Sequence, residues 1–138
     1  MQESAFPLGT PLPASAIQLD RELHDAFIDL DTIDRRGTEM TISGHRVRPL
    51  QARGWRIGRF PVEICLRGVE EAVVSDPDGL RALVIMDVVE DVLVGSLTFT
   101  SAMVGSLAVT GHEVTATLTL SDKPTATRRV LGSWKAIR

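Results

Sequence analysis

From about Leu93 to the C-terminus apolar and polar residues take turns, a period of two that a strand accommodates and a helix does not. One parity collects Leu93, Leu97, Phe99, Met103, Leu107, Val109, Val114, Ala116, Leu118, Leu120, Val130 and Trp134. The other collects Thr98, Thr100, Thr110, Glu113, Thr115, Thr117, Thr119 and Lys135. One buried and one solvated face is the habit of antiparallel sheets. The apolar parity from Leu93 to Ala136 is read as free of Asp, Glu, His, Lys and Arg. Acid–base and nucleophilic catalysis would find no titratable partners on such a wall. It would bind by shape and desolvation, with polar handles from Glu63, Arg67, Asp87 or the mouth.

The rest of the chain extends the same texture. Val-, Ile- and Thr-rich segments punctuated by Gly, Asp and Pro predict strands over residues 39–43, 45–48, 55–60, 62–67, 71–74, 80–88, 92–100, 103–110, 113–120 and 128–137, of which seven or eight should survive. Residues 80–94 follow Asp76-Pro77-Asp78-Gly79, which reads either as a hairpin turn or as a helix start. Val and Ile dominate the stretch, which favours strands. Two echoes suggest a meander: Val94-Gly95-Ser96-Leu97 recurs as Val104-Gly105-Ser106-Leu107, and Ser43-Gly44-His45 resembles Thr110-Gly111-His112. All four glycines read as strand-linking positions, Gly44 and Gly111 as hairpin turns.

One helix precedes the strands. Ser15 with Gln18 three residues on is a capping-box pattern. Leu19, Leu23, Ala26, Phe27, Leu30 and Ile33 recur at three- and four-residue steps, with Asp20, Glu22, Asp25 and Asp29 on the other side, so the spacing predicts a helix over 15–33. Residues 1–14, with three prolines, read as an extended arm, and 15–138 as a single domain, which 138 residues suit.

Composition narrows the partners. A single cysteine, Cys65, excludes an internal disulfide and a multi-cysteine zinc site, and His24, His45 and His112 lack paired-ligand spacing, so no metal and no cofactor are expected. No P-loop, G-x-G-x-x-G or G-x-S-x-G occurs. His112 and Glu113 form a candidate acid–base pair at a loop tip, and Arg67 beside Cys65 is a candidate activator of its thiol. Charge is uneven: residues 35–67 hold eight arginines against two acids, and 68–122 hold nine acids against one arginine. The basic block, interleaved with Trp55 and Phe60, has the composition of a phosphate or single-stranded RNA site. In a chain of net charge −3, mutual pairing of these blocks, within one molecule or between two copies, is the expectation, and nucleic acid is not an expected partner. No apolar run reaches the ~18–20 residues of a membrane span, and the first residues carry no leader pattern, so a cytoplasmic protein is expected. Thirteen arginines against two lysines, with no Asn or Tyr, fit a GC-rich bacterial source.

The layout, a helix followed by an antiparallel sheet curled into a barrel or barrel-like sandwich, resembles calycin-type proteins in arrangement alone. It implies an α+β fold whose interior is filled or holds a small apolar molecule. Gly95, Gly105 and Gly132 on the inward parity either ease sheet coiling or leave room for a ligand. The candidate ligand contacts are Leu97, Phe99, Met103, Leu118 and Trp134, with Trp55. The expected function is small-molecule binding, extending to a shape-driven cyclase or isomerase. The alternative is a non-enzymatic assembly subunit. Residues 80–94 are apolar on both parities and need cover on both faces, from the N-terminal helix on one side or from a second subunit, and a homodimer is expected.

Overall fold

The structure, a computed structural model, describes residues 9–50, 56–129 and 134–136. It is mostly antiparallel β with one short helix. In chain order the elements are β1 (Leu12–Ala14), α1 (Ala16–Leu23), β2 (Phe27–Arg36), β3 (Glu39–Pro49), β4 (Arg56–Arg67), β5 (Glu71–Ser75), β6 (Ala82–Asp91), β7 (Ser96–Ser101), β8 (Ser106–Thr110), β9 (Thr115–Leu120), β10 (Ala126–Arg129) and β11 (Lys135–Ala136). No helix among the described residues is long and apolar enough to cross a membrane.

The strands run in the order β1-β9-β4-β3-β2-β6-β7-β8-β5, with β10 continuing along β4 and β11 beside β10. The end strands β1 and β5 do not pair with each other, so the sheet is open among the described residues. Period-two patterning sets the register. Ile42, Ile64, Leu118 and Leu12 lie in one cross-strand row; Met40, Leu66, Ala116 and Ala14 lie in the next. On the other half Val88, Phe99 and Leu107 form a matching row. These rows share one core with Leu19 and Leu23 of α1. Each fully buried leucine there contributes about 2 kcal/mol from apolar burial.

α1 lies where β2 stops covering β6. The Val88 N–H donates to Asp20 Oδ1 at 2.8 Å, and His24 Nδ1 lies 3.1 Å from the Met86 carbonyl. Helical side chains thus satisfy backbone groups that a neighbouring strand would otherwise pair. The helix also carries Glu22 inward, 5% exposed, to meet Arg46 of β3, 9% exposed, at 3.2 Å.

Several expectations change. The capping box at Ser15 and Gln18 is present, but the helix ends at Leu23 and the predicted second half is β2. Asp25 adopts a left-handed conformation (φ 65°) that breaks the helical path, and Ile28 enters the core from a strand. The preference for strand over helix after Asp76-Pro77-Asp78-Gly79 holds at residues 82–91, and 76–81 form a loop in which Asp76 accepts from the Leu80 and Arg81 N–H groups. Gly44 lies inside β3, not at a turn. There a Cβ would overlap the Phe27 carbonyl oxygen, so glycine lets β2 and β3 approach. The Val-Gly-Ser-Leu echo does mark the β6–β7 and β7–β8 hairpins. Gly111 lies between β8 and β9, which do not pair, so it is no hairpin turn.

Inward parity also fails at the turns. Leu93 is 99% exposed at the tip between β6 and β7, and Met103 is 56% exposed between β7 and β8. A turn reorients side chains that strict alternation would send inward. Arg128 overturns the charge-free wall: it shares parity with Trp134 and packs on that ring, outside the core. Trp134 is half-buried on the outward face, because β10 and β11 extend the sheet past the core.

Candidate functional site

A cleft of about 440 Å³ opens between the β1–α1 segment and the turns that follow β6 and β8. Small residues leave this space: Ala14, Ala16, Gly95, Ser96 and Ala116 all line it. Its floor includes Leu19 and Leu97, both buried. Its rim includes Glu90, Asp91, His112 and Glu113, and neither Lys nor Arg lines it. The volume falls in the range of small-molecule sites, roughly 300–1,000 Å³.

Local sequence builds each wall. Gly95 takes a positive φ of 72°, which glycine adopts without steric cost, and its carbonyl accepts the Gly111 N–H at 3.0 Å. That bond ties the two turns together on one side of the cleft. A Cβ on Gly95 would collide with the Gly111 carbonyl oxygen at 2.5 Å. Asp91 accepts from the Leu93 and Val94 N–H groups, so its carboxylate shapes the turn. Opposite, the reciprocal Ser15–Gln18 bonds fix the start of α1. Glu90, His112 and Glu113 remain exposed at the rim.

The six candidate ligand contacts do not share one cavity among the described residues. Leu97 lines the cleft. Phe99 and Leu118 are buried within the core cluster, Met103 is exposed at a turn, and Trp134 lies under Arg59 and Arg128. Trp55 lies outside the described residues, as does Gly132. Of the polar handles, Glu63 is on the outward face, and Arg67 pairs with Glu39 at 3.6 Å. Asp87 Oδ1 is shielded from solvent without a hydrogen-bond partner among the described residues. Leu97, Gly95 and the rim pair His112–Glu113 are the parts of the site that the sequence indicated directly. The small residues on β1 and α1 carry no local signal, because their role depends on β1 pairing with β9, where Leu12 meets Leu118 and Ala14 meets Ala116.

Cys65 lies on the less buried face, where burial and then the Glu39 carboxylate push its thiol above the usual value. This opposes activation by Arg67. Among the described residues no group of three or more His, Cys, Asp or Glu is arranged to hold a metal ion. The basic block divides: Arg36, Arg46 and Arg67 pair with Asp34, Glu22 and Glu39, whereas Arg48, Arg56 and Arg59 have no carboxylate within ion-pair distance among the described residues.

Fold and cleft together define a β-rich protein with an open, mostly antiparallel sheet and a ligand-sized recess at one end. No protein-family model, curated protein or solved structure matches the chain.

Proposed function

We propose that this protein is a barrel-like sandwich that binds a small molecule in the cleft beside α1, seating an apolar body on Leu19 and Leu97 and a cationic group at the rim. The supporting observation is the lining itself: an apolar floor, the carboxylates of Glu90 and Glu113, and neither Lys nor Arg. Desolvating the ligand's apolar part drives binding, and the carboxylates select an amine over an acid. Shape-driven isomerisation or cyclisation would use the same recess, with His112 and Glu113 as its proton-handling groups.

The test is calorimetric titration with matched apolar amines and carboxylates. Amines bind saturably, Glu113→Gln weakens them several-fold, and Ser96→Trp, which fills the recess, abolishes binding while the fold persists by circular dichroism. Equal binding by Ser96→Trp, or no preference for amines, removes the proposal.

A second reading, an assembly subunit, is favoured by β5. This strand has β8 as its only strand partner among the described residues, and Val73 and Val74 are exposed on it.

A further inference from the structure

Of the basic-block arginines without a carboxylate in ion-pair distance among the described residues, Arg59 stands on the outward face of β4, away from the cleft, and Arg48 and Arg56 have the opposite parity. Residues of β3 and β4 opposite one another share a face, which places His45 and Val47 with Pro61 and Arg59. The register extends that face to Phe27 on β2 and to Ala126 and Arg128 on β10. Across it stand a Phe27–His45 ring stack (centroids 5.0 Å apart, 12° between planes), then Arg59, then Trp134 with Arg128. The Arg59 and Arg128 guanidinium carbons lie 4.5 Å and 4.9 Å from the Trp134 ring centroid. From β2 to β10 is three inter-strand steps of about 4.8 Å each. None of these residues lines the cleft.

Three features set this face apart from an ordinary solvated one. Arg59 has no carboxylate within ion-pair distance among the described residues, and its Nε is shielded from solvent with no acceptor. Stacking on Trp134 holds two guanidinium planes in place, so little side-chain freedom is lost when an anion arrives. Arg59 acts on the ring stack: after burial it is the next cause holding the His45 pKa below its ordinary value, ahead of the opposing Asp29 carboxylate. The acids of the face, Asp29 and Glu63, occupy a separate row on the far side of Phe27 and His45, joined through Ser43. They bound the positive region without neutralising Arg59.

We propose that this face binds single-stranded nucleic acid, with backbone phosphates at Arg59 and Arg128 and bases stacked on the Phe27–His45 pair and the guanidinium planes. Cations alternating with aromatic rings on an open surface suit a strand in which phosphates and bases alternate. An acidic peptide would use the charges and leave the rings idle. The acidic chain as a whole limits non-specific attraction, which makes affinity depend on this one patch.

The probe is a fluorescein-labelled 12-nucleotide oligothymidylate, read by anisotropy on the full chain from 50 mM salt upward. Arg59→Gln and Arg128→Gln each weaken binding about tenfold and flatten the slope of log K against log salt by about 0.7. Arg59→Lys, a second variant that retains the charge, keeps the slope and loses affinity. Arg36→Gln, the same charge change outside the face, alters neither. The proposal fails if wild-type protein does not bind at tens of micromolar, or if Arg36→Gln weakens binding as much as Arg59→Gln. It fails equally if polyglutamate competes as well as unlabelled oligothymidylate, or if thymidine monophosphate binds as tightly as the 12-mer.

Discussion

Cys65 shows how the chemistry of one side chain turns on which neighbour claims the nearest charge. Its sequence neighbour Arg67 would favour the thiolate, but the register places Glu39 beside Arg67, and the two pair at 3.6 Å. Burial and Glu39 therefore outweigh Arg67, and the thiol stays protonated at neutral pH. Disulfide exchange with an aromatic disulfide reagent at pH 7.5 is accordingly slow and quickens as pH rises toward the raised pKa. Glu39→Gln removes an influence that raises the pKa and leaves Arg67 to lower it, so the rate climbs several-fold; Arg67→Gln slows it. A Glu39→Gln rate at or below wild type would contradict this account. Stability should change little, since exposed ion pairs contribute about 0–1 kcal/mol. The residue type was legible in the sequence here and the sign of its environment was not, because the deciding partner lies across a strand pair. Glu22 is similar: helical spacing assigns it to the polar side, yet it is buried against Arg46, 24 residues away.

At the scale of elements, strand periodicity transferred well and helix periodicity transferred in part. The inward residues of β7, β8 and β9 follow the parity expected from their alternation, because both neighbours of each strand impose the same two-residue repeat. Residues 27–33 satisfy both periods locally, and the tie is broken by tertiary structure: β2 finds partners in β3 and β6. Gly44 is the point where that choice is tested. Opposite Ile28, an added Cβ would collide with the Phe27 carbonyl oxygen and approach Ile28 Cδ1 at 3.0 Å. Gly44→Ala must part β2 from β3, and its expected cost is that of overpacking, about 2 kcal/mol. Urea unfolding measures it. A midpoint equal to wild type would mean that the two strands are not packed this closely, and a helix over 15–33 would return to consideration.

The whole molecule is governed by its open ends. β1 bonds to β9 on one side, and β5 ends the other half with no charged edge except Glu71. The Gly111 N–H reaches the Gly95 carbonyl and the Ser101 N–H reaches the Gly105 carbonyl, so odd-numbered positions of β8 bond toward β7. In an antiparallel ladder the even positions then bond toward β5, at Glu71, Val73 and Ser75, and the Ala72 and Val74 backbone groups point outward. A second copy of β5 fits this edge antiparallel, centred on Val73, with Ala72 opposite Val74 and Glu71 opposite Ser75. Val73, 54% exposed in the single chain, would then meet its own counterpart as a close non-hydrogen-bonded pair. The same register sets Glu70 against Asp76, a repulsion that salt screens beyond about 8–10 Å. Sedimentation at tens of micromolar should therefore show a dimer that tightens as salt rises from 20 to about 150 mM, the range over which that screening develops. Val73→Lys should give a monomer with an unchanged urea midpoint, since the site is exposed. A dimer that persists in Val73→Lys, or one that salt weakens, would place the contact elsewhere and return weight to pairing between the oppositely charged blocks of two copies.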